Sequence, residues 1–110
     1  MLNCDSIPQY MSGQLKLKVL WAKNFLGLAI DQVNVKQNLP LTVYYFWPKT
    51  EAWEQLKLEL DSKPWIKDEE RVQLLNSASE IMNFWRESRS TVALQKVTNS
   101  FHNITFVNIT

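Results

Sequence analysis

The side chains most capable of catalysis are one histidine, one cysteine and two runs of carboxylates. His102 and Cys4 lie near opposite ends of the chain. A catalytic thiol and imidazole would therefore have to be assembled from two segments that show no periodic pattern. The carboxylates of residues 51–61 and 68–70 have the spacing of the solvated face of an amphipathic helix. These patterns predict a protein that is not an enzyme.

The sequence also lacks motifs for phosphate and metal ligands. Gly13 and Gly27 are the only glycines, and neither begins a phosphate-binding loop of the Walker or dinucleotide type. A single cysteine can form neither an internal disulfide nor a cysteine-based metal cluster. We therefore expect no cofactor and no metal.

Lysines and aromatic residues suggest a different chemistry, the binding of nucleic acid. The candidates for RNA contact are Lys16, Lys18, Lys23, Lys36 and Lys49, with Arg86 and Arg89 as secondary candidates. Tyr44 and Phe46 would share one face of a strand, and Tyr45 and Trp47 the other, so one pair could be exposed and stack on bases. Alternatively, the aromatic rings are buried in the core and the lysines are only solvated by water.

Charge is unevenly distributed along the 110 residues, whose overall net charge is only +1. Residues 1–49 carry five lysines against two aspartates, a net charge of +3. Residues 50–87 carry five basic against nine acidic side chains, a net charge of −4, and residues 88–110 carry two basic side chains. The total gives no support for nucleic-acid binding, but this distribution could produce a basic and an acidic face.

The composition, 45% apolar and 21% charged, is typical of one soluble domain. No apolar run is long enough to cross a membrane, so we expect no membrane contact. The N-terminal region has neither a signal-peptide nor a transit-peptide pattern, and we expect no cleaved leader. The lone cysteine favours a reducing compartment.

The elements that position these residues follow from hydrophobic periodicity. Residues 15–19 alternate apolar and basic side chains, which predicts a strand that continues to Trp21. From Ala22, apolar residues at helical spacing predict a helix that ends before Pro40. Residues 41–47 predict a buried strand at the centre of the core. A strand-helix-strand order favours parallel strands over an antiparallel return.

Two amphipathic helices are predicted after this strand. Thr50 is the predicted N-cap of the first, which continues to about Ser62 and is ended by Pro64. The second begins with Asp68 and continues to about Glu87. We predict one core cluster of four aromatic rings. They come from the strand end, the first helix, the turn between the helices and the second helix, in the order Trp47, Trp53, Trp65 and Trp85.

Together these elements predict a small single α+β domain in the order β-α-β-α-α, with a two- or three-stranded sheet covered by helices. The domain spans residues 15–87, after a flexible arm at 1–14 and before a C-terminal extension at 88–110 whose structure the pattern leaves uncertain. Residues 101–109 are apolar enough to become ordered on RNA or a neighbouring protein, which we favour, or to add an edge strand to the sheet.

Ten short blocks fall in order along residues 15–87: Leu20-Trp21, 30–33, 40–42, 45–48, 52–57, Glu59-Leu60, 62–66, Arg71-Val72, 74–76 and 83–85. Together these blocks resemble the plastid-specific ribosomal protein 3 family of the chloroplast small subunit, which has cyanobacterial relatives. Lys67 departs from the family pattern, which has a serine there, and leaves Asp68 as the predicted helix cap. Residues 90–110 match nothing in the family, so the resemblance implies no role for them.

The resemblance implies a non-catalytic structural component of the chloroplast 30S subunit that contacts 16S ribosomal RNA and neighbouring ribosomal proteins and supports translation. It implies a protein bound to ribosomes of the plastid stroma, or of the cytoplasm if the chain is cyanobacterial. The missing transit-peptide pattern favours a gene carried by the plastid itself, as in algae, with a processed or a cyanobacterial chain as the alternatives. No small-molecule substrate is expected. The alternative is a free-standing binding module, or an assembly or regulatory factor, that associates with the small subunit transiently.

Overall fold

The computed structural model describes residues 14–33 and 37–109, which form five strands and three helices. The strands are β1 (Gln14–Ala22), β2 (Leu26–Val33), β3 (Asn38–Pro40), β4 (Tyr45–Trp47) and β5 (Thr105–Ile109), and the helices are α1 (Ala52–Asp61), α2 (Asp68–Glu87) and α3 (Thr91–Ser100). All three helices share one hydrophobic core with the sheet. The predicted α+β class and single domain are confirmed.

The sheet is built around a hairpin of two long strands. β1 and β2 pair antiparallel over their whole length, from Gln14 opposite Val33 to Trp21 opposite Leu26. β5 pairs parallel with β1 on one side. On the other side, β3 and β4 both pair antiparallel with β2. The sheet therefore has β1 and β2 at its centre and short strands at both edges.

The helix predicted from Ala22 is wrong, because Leu26–Val33 is strand β2. Its apolar residues fit a helical spacing only because nearly every residue of the strand is buried. A strand in which residues on both faces are buried has no clear alternation of apolar and polar residues, so periodicity cannot distinguish it from a helix. The predicted parallel crossover is wrong for the same reason, since β1 and β2 form an antiparallel hairpin.

The predicted central strand at 41–47 is also corrected. Only Tyr45–Trp47 is a strand, and it lies at an edge. The chain breaks away from β2 between β3 and β4, where the backbone N–H groups of Leu41 and Thr42 both donate to the Ile30 carbonyl. Thr42 Oγ1 accepts a hydrogen bond from the Ile30 N–H at 3.1 Å. This side chain replaces the strand partner that the break removes.

Helices α1 and α2 lie where the sequence predicts them, with small corrections at their caps. Helix α1 begins after Glu51 rather than Thr50, and α2 begins after Lys67, so Asp68 is its first helical residue. Arg71, only 17% exposed, lies 3.4 Å from a carboxylate oxygen of Asp61 and also pairs with Asp68. It fixes the end of α1 to the start of α2.

The C-terminal residues contain a helix that the sequence analysis missed. Ser90 caps α3 by accepting a hydrogen bond from the Ala93 N–H at 3.1 Å. Leu94 and Val97 of this helix are buried in the core. β5 follows as an edge strand of the domain's own sheet, so the structure has the intramolecular alternative rather than the partner-bound one. The arm predicted at 1–14 lies almost wholly outside the described residues.

Candidate nucleic-acid interface

The two faces of the sheet have different neighbours. Alternate residues of β1 and β2, such as Leu17, Val19, Leu28 and Ile30, are fully buried and form one cluster with the buried residues of all three helices. The opposite face is covered by no element among the described residues, and we call it the open face. It carries Lys16, Lys18, Leu20, Gly27, Ala29, Asp31, Tyr44, Phe46, Thr105 and Val107.

Three aromatic rings form a cluster on the open face. The Phe25 and Phe46 ring centroids lie 5.4 Å apart with perpendicular planes, an edge-to-face contact. The Tyr44 and Phe46 centroids lie 6.1 Å apart, and their planes differ by only 22°. Phe46 is 37% exposed, the most exposed aromatic side chain in the described sheet. The cluster therefore presents apolar ring surface to solvent.

Gly27 makes room for this cluster. A Cβ atom at Gly27 would lie 3.1 Å from the Leu20 Cβ, 3.1 Å from the Phe46 ring and 3.2 Å from the Tyr44 ring. These distances are shorter than normal carbon–carbon contacts, which lie near 3.5–4.0 Å. Glycine here lets the two rings lie close to the sheet, as isolated glycines within strands commonly allow.

Lysines lie beside the rings on the same face. Lys18 Nζ lies 5.2 Å from the Tyr44 ring centroid, a cation–π contact, and 3.0 Å from Asp31 Oδ1. The contact with Asp31 is an ion pair without hydrogen-bond geometry, since Oδ1 accepts no hydrogen bond. Lys16, on the same face, makes no ion pair within the described part of the chain. Lys16 is therefore the cation of β1 available to an anionic ligand.

The tyrosines on the two faces have raised pKa values. Burial raises the pKa of Tyr44 above 10.0; the Lys18 cation opposes this and the Asp31 carboxylate adds to it. Burial also raises the pKa of Tyr45, on the helix-covered face, where Glu59 raises it further. Both phenols are therefore neutral at physiological pH and act as aromatic surfaces and hydrogen-bond donors.

Of the other lysine candidates, Lys23 and Lys49 lie at one end of the sheet. Lys23 is exposed in the turn between β1 and β2, and Lys49 is exposed just after β4. Because Trp47 of β4 pairs with Leu26 of β2, both lysines lie at the end of the sheet where β2 begins. Lys36 lies outside the described residues.

The two arginine candidates lie on the helical side. The Arg89 guanidinium sits 4.1 Å from the Trp85 ring centroid, and one of its nitrogens is 3.5 Å from the Lys23 carbonyl oxygen. Arg86 donates to the Asn83 side chain on the exposed surface of α2. The structure therefore does not bring the arginines onto the open face with Lys16 and Lys18.

The four tryptophans predicted to form a core cluster lie on the covered side of the sheet. Trp85 is 1% exposed; its ring lies 5.5 Å from that of Trp47, and its Nε1 donates to the Ala22 carbonyl at 2.8 Å. Trp53 Nε1 donates to the Leu75 carbonyl at 3.0 Å. Trp47, Trp53 and Trp65 are half-buried and pack against the same cluster that contains Trp85.

Phe25 and Gly27 were not predicted to be parts of this surface, because the apolar spacing predicts a helix over both residues. The available signal was Gly27 itself, an isolated glycine within an apolar run, which in a strand indicates close approach of another group. A surface that carries both flat rings and free cations can bind a ligand that has both aromatic and anionic parts. Nucleic acid has both.

Other kinds of site find no support in the described residues. No group of three or more histidine, cysteine or acidic side chains there is placed to hold a metal ion. No described helix is both long and apolar enough to cross a membrane. The open face, with its aromatic cluster and a Lys16 cation unpaired in the part of the chain that the structure describes, is the candidate functional surface.

Comparison with known proteins gives one consistent family. Residues 41–88 match a family described as plastid and cyanobacterial ribosomal protein (PSRP-3 / Ycf65). These residues contain β4, α1 and α2.

Relatives extend the similarity over most of the chain. A small ribosomal subunit protein cS23 of the red alga Gracilaria tenuistipitata is 46% identical over 90 residues, 82% of this chain and 91% of the relative. A "Probable small ribosomal subunit protein cS23" of a Synechococcus strain is 56% identical over 70 residues, 64% of this chain and 71% of the relative. For Small ribosomal subunit protein cS23z of Arabidopsis thaliana the identity is 41%, over 72% of this chain and 48% of the relative.

Proposed function

Because the chain belongs to the plastid and cyanobacterial ribosomal protein family PSRP-3/Ycf65, we propose that it is a structural component of the 30S subunit of a chloroplast ribosome. The observation that carries this proposal is the 46% identity to a small-subunit protein over 91% of that protein's length. In this role the chain catalyses no reaction and supports translation through its contacts within the particle. It binds neither a cofactor nor a small-molecule substrate.

The open face is the side of the protein proposed to contact 16S ribosomal RNA. The described residues of 14–50 carry four lysines against one aspartate, a net charge of +3. Lys16, Lys23 and Lys49 make no ion pair among the described residues and are free to meet phosphates. Neutralisation of phosphates by lysines releases counterions and dominates most RNA affinity. Lys36 belongs to the same proposed set of contacts, with Arg86 and Arg89 as secondary ones.

The helical side has the opposite charge and is proposed to face neighbouring ribosomal proteins or solvent. Residues 51–87 carry nine acidic against five basic side chains, a net charge of −4. Such a surface repels RNA phosphates and attracts basic ribosomal proteins. A protein with a net charge near zero can be held in a particle by both kinds of contact.

The proposed location is the plastid stroma, on ribosomes, with the gene in the plastid genome as in algae. The red algal and plant relatives support a plastid, and the Synechococcus relative supports the alternative of a cyanobacterial cytoplasm. In either case the proposed partner is the small ribosomal subunit.

Sedimentation of a cell lysate at high salt tests this function. An integral component remains in the 30S peak at one copy per particle, as measured by quantitative mass spectrometry against other small-subunit proteins. A factor that associates only transiently is stripped from the peak by salt. Loss of the chain from 30S particles under conditions that retain the other proteins would overturn the proposal.

Charge variants test the RNA-facing side in a separate binding experiment. Lys16→Gln removes a free cation of the open face, whereas Lys67→Gln removes an exposed lysine at the start of α2. For purified protein rebinding to depleted subunits, Lys16→Gln should reduce the slope of log affinity against log salt by about 0.7–0.9. Lys67→Gln should leave it unchanged. Equal effects of the two substitutions would contradict the assignment of RNA to the open face.

A further inference from the structure

We propose that the open face binds an unpaired stretch of RNA by stacking bases on the ring cluster of Phe25, Tyr44 and Phe46. This inference rests on the proposed contact with ribosomal RNA and specifies its chemistry. It distinguishes the open face from a surface that meets only the phosphates of a duplex.

The geometry of the rings supports stacking. The Phe46 ring is 37% exposed although Phe25 contacts it edge to face, so one part of the ring is fixed and another remains accessible. Tyr44 lies nearly parallel to Phe46, with only 22° between the planes. Side chains held in place before binding lose little conformational freedom when a base covers them. The cluster is therefore preorganised for flat aromatic ligands.

Gly27 is part of the same arrangement. Leu20 lies opposite Gly27 in the sheet, and a Cβ at residue 27 would crowd Leu20, Tyr44 and Phe46 at 3.1–3.2 Å. A larger residue there would push the rings away from the sheet. Glycine at this position lets the Tyr44 and Phe46 rings lie against the sheet with nearly parallel planes.

The surrounding charges favour nucleic acid over an apolar protein segment. Lys16 lies toward the end of the sheet where β1 begins, while Lys23 and Lys49 lie at the opposite end, beyond the rings. Lys18, in between, is neutralised by Asp31 at 3.0 Å. Free cations thus lie at both ends of the sheet, and the rings lie toward the end that carries Lys23 and Lys49. A backbone crossing the face could place phosphates on the lysines and bases on the rings.

Unpaired RNA fits this surface better than a duplex does. Bases in a duplex are stacked on one another and offer only their edges, so they cannot cover an aromatic ring. Bases of a single strand have free faces and stack on aromatic side chains with little dependence on sequence.

The test measures binding of the purified full-length protein to an oligoadenylate of about ten nucleotides, by fluorescence anisotropy at several salt concentrations. Phe46→Leu removes the ring but keeps an apolar side chain. Its matched control is Phe84→Leu, which changes a phenylalanine that is 42% exposed on α2. Tyr44→Leu is a second open-face variant, and thermal unfolding verifies that each protein is folded.

The proposal predicts that Phe46→Leu and Tyr44→Leu each weaken binding about 5- to 150-fold, the loss associated with one stacked base. The salt slope should not change in these variants, because no phosphate contact is lost. Phe84→Leu should bind as the native protein does, and an RNA hairpin duplex should be bound more weakly than the oligoadenylate.

Two results would overturn the stacking proposal. One is equal affinity of the native protein and folded Phe46→Leu and Tyr44→Leu proteins, which would mean that the rings are covered by a neighbouring protein or by nothing. The other is a failure of the native protein to bind the oligoadenylate. Neither result affects retention in the 30S peak at high salt, so the structural role in the ribosome would stand or fall separately.

Discussion

Four consecutive aromatic residues divide between the two sides of this molecule. Tyr45 and Trp47 point to the helices, where the Tyr45 hydroxyl lies 3.3 Å from a Glu59 carboxylate oxygen and the Trp47 ring packs against Trp85. Tyr44 and Phe46 point to the open face and contact each other. One segment at a sheet edge therefore supplies both core packing and an exposed aromatic surface, because adjacent strand residues point in opposite directions.

The two sides also differ in how firmly they are held. On the covered side, three indole N–H groups, those of Trp21, Trp53 and Trp85, donate to backbone carbonyls that are distant in the sequence. On the open face the described side chains make one ion pair and ring contacts. Stability is therefore expected to depend on the covered side and to tolerate changes on the open face.

The largest expected effect comes from Trp85→Ala. Its ring is 1% exposed, and the substitution leaves a cavity and an unpaired Ala22 carbonyl, so the free energy of unfolding should fall by about 3–5 kcal/mol. Urea denaturation followed by circular dichroism measures this loss. Phe46→Leu is the comparison on the open face and should change stability by no more than about 1 kcal/mol. Similar losses for the two variants would remove the distinction between the faces.

An intermediate effect is expected from Thr42→Val, at the break between β3 and β4. Valine keeps the shape but not the oxygen that accepts from the Ile30 N–H, and Thr42 is buried. An unpaired buried N–H should lower the free energy of unfolding by about 1–3 kcal/mol.

Thr50→Val is the matched control, because the Thr50 hydroxyl also forms a hydrogen bond with the backbone, here by donating to the Phe46 carbonyl, but is exposed. Its effect should lie within about 0.5 kcal/mol. Equal stability of the native and Thr42→Val proteins in urea would show that the hydrogen bond from the Ile30 N–H to the Thr42 hydroxyl does not contribute to stability.

The smallest effect concerns the pKa values of the two tyrosines. Lys18→Met removes the cation that lowers the pKa of Tyr44, so this pKa should rise further, while the pKa of Tyr45 on the other face should not change. Phenolate absorbance during alkaline titration, with Tyr44→Phe and Tyr45→Phe to assign the signals, measures both. A change in the pKa of Tyr45 in the Lys18→Met protein would contradict the placement of Tyr44 and Tyr45 on opposite faces of the sheet.

The same titration has a consequence for stability. Both folded-state pKa values lie above the ordinary value of 10.0, so the folded protein favours the neutral phenols. Their contribution to stability is complete below pH 10.0 and is lost as the pH rises through the folded-state values. Unfolding midpoints should therefore decrease above this pH, and less steeply in Tyr45→Phe.

Local signals were sufficient for some elements of the fold. The sequence predicted β1, α1 and α2 at nearly the observed positions, because each is indicated by residues close together in the chain. These signals are the apolar–basic alternation of β1, the proline before Trp65 and the acidic first turn of α2. Elements that depend on distant partners were not predicted. The valines and threonines of α3 have modest helix propensity, and burial of Leu94 and Val97 against the core stabilises this helix.

The amino-acid sequence by itself determined the α+β class, the two acidic helices and the family, through residue patterns that are local or stand in a fixed order. Tertiary structure alone decided that Leu26–Val33 is a central strand, that Thr105–Ile109 joins the sheet beside β1, and which side of the 44–47 segment remains open. The physical reason is that a strand needs partners from elsewhere in the chain. Its pairing and its covered face are properties of the assembled sheet, which no single stretch of sequence contains.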